Sequence, residues 1–95
     1  MIEVLVVSRN NEAHDICSYE LASVDDRPLP TFSAGAHIDV HLPGGLIRQY
    51  SLCNHPEERH RYLIGVLKDP TSRGGSLAMH EQIHPGTRLP ISEPR

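Results

Sequence analysis

A small antiparallel β-barrel with one short helix is the fold this sequence predicts. Three observations point there. Apolar and polar residues alternate in several short runs, clusters of Gly, Pro, Asn and Asp separate those runs, and a single stretch shows helical spacing instead. Taken in order, the strands fall at residues 2–7, 17–23, 38–42, 46–53, 62–68 and 89–92. The third is the clearest: Ile38, Val40 and Leu42 are apolar while His37, Asp39 and His41 are polar. That period of two marks a strand with one face in a core. Pro43-Gly44-Gly45 stops it, and the next strand resumes with Arg48 and Tyr50 on one face, so the pair reads as a β-hairpin. Asn10-Asn11, Asp25-Asp26-Arg27-Pro28 and His55-Pro56-Glu57-Glu58-Arg59 supply the other turns. The exception to the alternation is 76–84, which has no Gly or Pro and only Ile83 as a β-branched residue. Gly74-Gly75-Ser76 provides its entry and Pro85-Gly86 its end. Leu77, His80, Ile83 and His84 share one face of that helix.

Composition narrows the function. A chain of 95 residues makes one domain. Nine Lys and Arg are scattered among twelve Asp and Glu, for a net charge of -3, and nucleic-acid modules concentrate positive charge instead. There is no apolar run of the roughly 20 residues that a membrane span needs, and no secretory segment opens the chain. Two cysteines, Cys17 and Cys53, are too few for an iron–sulfur cluster and read as reduced thiols of a cytoplasmic protein.

Three motifs carry chemistry. In Arg48-Gln49-Tyr50-Ser51-Leu52, strand geometry projects Arg48 and Tyr50 together and Ser51 the other way. A guanidinium fork beside an aromatic face suits a ligand both anionic and planar. The plainer reading is a surface arginine packed on a tyrosine in a barrel wall. In Ser72-Arg73-Gly74-Gly75-Ser76, two glycines and the N–H groups of a helix start favour an anion, with Ser76 at the cap. The same residues also make an ordinary loop. His80-Glu81-Gln82-Ile83-His84 matches the zinc-protease pattern H-E-x-x-H. Against it, Pro85-Gly86 ends the helix at once and Glu93 is the only carboxylate downstream. His37 and His41 lie roughly 13 Å apart along a strand, too far to share an ion. No G-x-S-x-G elbow is present, and Cys53 reads as a small packing residue at a strand end.

Three blocks, in this order and spacing, carry a family resemblance: Phe32-Ser33-Ala34-Gly35-Ala36-His37-Ile38-Asp39-Val40, Arg48-Gln49-Tyr50-Ser51-Leu52-Cys53-Asn54 and Ser72-Arg73-Gly74-Gly75-Ser76. Together they resemble the phthalate dioxygenase reductase family, which includes the vanillate O-demethylase reductases, within the ferredoxin reductase superfamily. The resemblance implies an all-β Greek-key barrel that binds FMN, with FMN preferred over FAD on the resemblance alone. It implies an oxidoreductase passing electrons from NAD(P)H through FMN and a [2Fe–2S] cluster to a Rieske-type aromatic-ring or demethylating oxygenase. Residues 1–95 look like the flavin module only, with Ile91-Ser92-Glu93-Pro94-Arg95 similar to the linker that leads to the nicotinamide domain. The NAD(P)H-binding and ferredoxin domains are then absent, and the fragment alone is expected to bind FMN at most.

Carried over by motif, Arg48 binds the FMN phosphate, Gln49 adds backbone contacts, and Tyr50 lies against the ring or its ribityl arm. Ser51 places its hydroxyl at the ring nitrogen that receives hydride. Val66, Leu67 and Lys68 border the ring through their main chain, and Gly74, Gly75 and Ser76 cradle the phosphate. His80 and His84 become ordinary helix residues, with no metal expected. The alternatives are a cofactor-free barrel serving as an interaction module and, further off, a zinc hydrolase.

Overall fold

A computed structural model describes residues 1–68 and 75–95. Six strands and one helix occur among them: β1 (Ile2–Ala13), β2 (Ile16–Ser23), β3 (His37–His41), β4 (Ile47–Ser51), β5 (Arg61–Leu67), α1 (Gly75–Gln82) and β6 (Arg88–Ile91). Every strand pairing is antiparallel, in the order β4-β3-β6-β1-β2-β5. The two ends of that sheet meet. Leu52, just past β4, bridges to Ile64 of β5, and the Cys53 N–H donates to the Leu63 carbonyl at 2.7 Å. Closure makes β3, β4 and β5 successive neighbours while β6 returns beside β3, which is a Greek key. The barrel expected from the alternation is therefore the fold observed.

Alternation also places the core. Val4 and Val6 of β1, Tyr19 and Leu21 of β2, Ile38 and Val40 of β3, Tyr62, Ile64 and Val66 of β5, and Leu89 and Ile91 of β6 are all buried. Each set is spaced by two, as one face of a pleated strand requires. Between β3 and β4 the chain turns through Pro43–Gly45, where Gly44 and Gly45 both take φ +83°, a region that L side chains rarely adopt.

Three expectations about the elements need correction. β1 does not stop at Val7 and Asn10-Asn11 is not a turn. Asn10 and Asn11 pair with Ser18 and Cys17, and the chain reverses at His14-Asp15, with Asp15 at φ 60°. The physical reason is that beyond Val6 β1 itself outruns the core, although its β2 partners Cys17, Ser18 and Tyr19 stay buried. Exposed polar residues carry its ladder, and register shifts after Val6 and Asn11 break the alternation that marks a strand. β4 ends at Ser51 because the next residues change partner. α1 ends at Gln82, not His84, and it buries Ala78 and Met79, with Ile83 just beyond; His80 is half-buried and His84 exposed. Ile83 is thus the part of the expected helix face that holds, while the Leu77 side chain lies outside the described residues.

Two buried phenols tie loop and helix to the barrel. The Tyr19 hydroxyl donates to the Met79 carbonyl at 2.7 Å, and the Tyr62 hydroxyl donates to the Pro30 carbonyl at 2.6 Å. Burial pushes both phenols up to about 12 from 10.0. Between those values the folded chain holds protons that the unfolded chain has lost, so this stabilisation is complete below pH 10.0 and disappears as pH rises toward about 12. Urea unfolding midpoints should accordingly be lower at about pH 11 than at about pH 8. Tyr19→Phe should shrink that difference while costing about 1–3 kcal/mol at neutral pH, because the buried Met79 carbonyl loses its donor.

Candidate functional site

The residues singled out on β4 sit in a fixed register with β3: Val40 opposite Arg48, Asp39 opposite Gln49, Ile38 opposite Tyr50 and His37 opposite Ser51. Paired residues share a face, so Arg48 and Tyr50 stand on the side whose β3 partners are wholly buried. Both are half-buried, while Ile47, Gln49 and Ser51 are exposed. The Arg48 guanidinium donates to the Ile47 carbonyl at 2.8 Å. Tyr50 packs against the core, and burial raises its phenol pKa against the opposing pull of Arg48. Its phenol also lies within electrostatic reach of Tyr19, whose hydroxyl is held by Met79.

Past Ser51 the chain crosses from β3 to β5. The Leu52 N–H still donates to the Ala36 carbonyl at 2.9 Å, but its bridge is to Ile64. Asn54 completes the crossing: its Nδ2 donates to the Arg61 carbonyl and its Oδ1 accepts from the Leu63 N–H, both at 2.9 Å. The side chain thus pairs with β5 as another residue of strand would. Sequence reasoning quoted Asn54 without giving it a task; the available signal was an Asn directly after a strand, a residue type whose amide competes for backbone partners. Arg61 was also missed. Its guanidinium joins Glu20 at 3.0 Å and Glu58 at 2.8 Å, and that hydrogen bond holds the Glu58 carboxyl below its ordinary range.

The third expected segment leaves the barrel beside α1. Val66 is fully buried, and its carbonyl accepts from His80 Nε2 at 3.1 Å. Leu67 is 59% exposed although apolar, and the Lys68 N–H donates to the Asp15 carbonyl at 2.6 Å. Gly75 and Ser76 are the first two residues of α1, so Ser76 belongs to the first turn and not to the cap. Ser72, Arg73 and Gly74 lie outside the described residues. β5 therefore has the chain after β4 on one side, at Leu52, and α1 against its end, at His80. Three clefts lined by described residues lie elsewhere, although one of them takes in Lys68 and His80.

The remaining motifs are placed differently from one another. His80 points at Val66, whereas His84 lies past the helix end with Nε2 3.0 Å from the Glu81 carbonyl. Among the described residues no three His, Cys, Asp or Glu side chains gather as a metal site would require. Cys53 is exposed and not a packing residue, since the crossing turns its side chain away from the core; Cys17 is buried, and both are free thiols.

The fold and the β4 motif define a class, the ferredoxin reductase-like flavin-binding barrels. The solved structure of phthalate dioxygenase reductase, described as modular for electron transfer from pyridine nucleotides to [2Fe–2S], superposes with a TM-score of 0.96 at 40% identity over 99% of this chain and 29% of that one. The vanillate O-demethylase oxidoreductase of Pseudomonas putida is 76% identical over the full 95 residues, which are 30% of its length. The phthalate 4,5-dioxygenase reductase subunit of Pseudomonas putida is 44% identical over 95% of this chain and 28% of its own. No family model matches the sequence. The chain is a close homologue of the flavin-module part of the phthalate dioxygenase and vanillate O-demethylase reductases, and spans about three-tenths of the length of these curated relatives.

Removing the Asn54 amide tests the crossing. Asn54→Ala should cost about 1–3 kcal/mol in thermal or urea unfolding, because two backbone groups of β5 lose their partner. Asn54→Asp, which keeps the acceptor for Leu63 and loses the donor to Arg61, should fall between that variant and the parent.

Proposed function

We propose that this chain is the FMN-binding module of an NAD(P)H-dependent reductase that supplies electrons, by way of a [2Fe–2S] ferredoxin domain, to an oxygenase component. The observation that carries the reading is the pairing of a half-buried guanidinium and a half-buried phenol on one face of β4, at Arg48 and Tyr50. Identity of 76% to a vanillate O-demethylase oxidoreductase supports it. The module assignment covers residues 1–95, and the reductase activity belongs to a longer protein of the relatives' kind.

The residues present fit flavin mononucleotide. Arg48 gives the phosphate a charge-assisted, fork-shaped donor. Tyr50 offers a ring edge to pack against the ligand and a neutral hydroxyl to donate, and burial raises its pKa further. Ser51 is exposed on the other face of β4, at the strand's end, and the resemblance assigns its hydroxyl to the ring nitrogen that receives hydride. Leu67 supplies apolar surface to the ring. The main-chain contacts of Val66, Leu67 and Lys68 are those not already committed to His80 and Asp15. Gln49 contributes through its backbone. Gly74, Gly75 and Ser76 cradle the phosphate with backbone N–H groups at the start of α1. When bound, the flavin supplies hydride acceptance and single-electron release; the protein's task is to hold and orient it.

Titration of the purified chain with FMN, followed by quenching of flavin fluorescence, should give saturable binding. A flat titration would leave the barrel as a cofactor-free interaction module. Arg48→Ala should weaken FMN binding about ten- to a hundredfold, matching the roughly 1.5–3 kcal/mol of a hydrogen bond to a charged group. It should leave riboflavin, which has no phosphate, unaffected. Ser51→Ala should retain FMN and slow its reduction by NAD(P)H when the chain is joined to a nicotinamide domain, as stopped-flow absorbance would show.

A further inference from the structure

A second constellation lies away from the β4 residues. Cys17 is 3% exposed, yet it lines a cleft of about 300 Å³ together with Arg9, Asn11, His14, Asp15, Lys68 and His80. Its sulfur has two acceptors in reach, Asn11 Oδ1 at 3.1 Å and His80 Nδ1 at 3.6 Å. His80 is fixed from its other side, where Nε2 meets the Val66 carbonyl at 3.1 Å. A carbonyl only accepts, so Nε2 carries the proton and Nδ1 of the neutral ring presents a lone pair to the thiol. Nucleophile, base and orienting group thus stand in series.

Cationic side chains border the same cleft. The Arg9 guanidinium lies 5.7 Å from the centre of the neighbouring Tyr19 ring, and Arg9 and Lys68 both border the cleft. Among the described residues on its wall there is one carboxylate, Asp15, and it is engaged by His14 Nε2 at 3.1 Å. The cleft volume is many times the roughly 30 Å³ share of a water molecule, so there is room in it for hydrogen peroxide and for a compact trapping reagent beside the sulfur.

We propose that Cys17 is a peroxide-reactive thiol, activated by His80 and oxidised by hydrogen peroxide to a sulfenic acid. His80 Nδ1 takes the thiol proton, and the sulfur attacks one peroxide oxygen. The O–O bond breaks, and the departing hydroxide receives the proton from His80 and leaves as water. Sulfur is oxidised, peroxide is reduced, and the imidazole returns to its starting state. His80 is a positioning residue and base for this step.

Cys53 is the internal reference: it is exposed, and among the described residues its sulfur meets the Ser51 carbonyl alone, at 3.6 Å. The 95-residue chain is treated with hydrogen peroxide and dimedone, and adducts at each cysteine are followed by peptide mass spectrometry. Cys17 should be trapped at least about tenfold faster than Cys53 despite its burial. His80→Gln keeps an N–H for Val66 but accepts no proton; it should slow trapping at Cys17 about tenfold while leaving Cys53 and the thermal midpoint unchanged. Adducts at Cys53 with Cys17 unmodified overturn the proposal on the parent protein alone. So does an undiminished rate at Cys17 in a folded His80→Gln.

Discussion

The crossing of the chain from β3 to β5 at Leu52–Asn54 is the constraint on which the arrangement depends. β4 itself is laddered to β3, and the residues directly after it carry the chain onto β5. The Leu52–Ile64 bridge, the Cys53 N–H on Leu63 and the two hydrogen bonds of Asn54 supply the closure. An unclosed edge would expose a row of backbone donors and acceptors to other chains. Closure removes that hazard and also sets the position of Arg48, Tyr50 and Ser51 relative to the end of β5. A binding site assembled from two strands needs their separation fixed, and here that separation is a consequence of strand pairing.

The site residues belong to the same alternation that builds the core. Arg48 and Tyr50 occupy the face on which Val40 and Ile38 are buried, so they extend the core face out to its rim. A polar group at such a position is held in place by packing and still meets solvent or ligand at its tip. Tyr50 illustrates the balance: enough of it is covered to hold the phenol neutral, and enough is open to offer a surface. Tyr19 extends the same logic inward, since its hydroxyl is spent on Met79 and so fastens α1 to the barrel wall behind Tyr50.

How much of this was legible in the sequence follows from where burial imposes a pattern. Strands β2, β3, β5 and β6 have a core face, and their alternation reveals them to within a residue or two. The outer half of β1 has none, because Asn10, Asn11 and Glu12 are exposed, so a genuine strand reads there as a turn. The helix was visible through its lack of turn residues, yet its buried face was misplaced. Met79 fills the core while His80 and His84 do not, and spacing alone does not say which of several overlapping stripes turns inward. Arg48, Tyr50 and Ser51 were legible as a chemical grouping on one strand. Their relation to β5 and α1 was not, because it depends on a crossing between distant segments that leaves no local periodicity, only an asparagine after a strand.

His80 connects the two regions of chemistry. One ring nitrogen holds the Val66 carbonyl at the end of β5, and the other faces Cys17 on β2. The segment carrying Val66 leads directly into Leu67, whose exposed apolar side chain is otherwise unexplained in a barrel that buries nearly every alternate residue. Anything that changes what Nδ1 faces changes the charge and orientation of the imidazole, and with them the hydrogen bond to Val66. The β2–β5 ladder is rigid along its length, with seven residues paired in continuous register, so such a change has little room to dissipate into the sheet. It acts instead at the ladder's open end, where Lys68 is tied to the hairpin turn by a single hydrogen bond to Asp15. The end of β5 is therefore the point at which the thiol cleft and the side of the barrel proposed to hold flavin share one backbone.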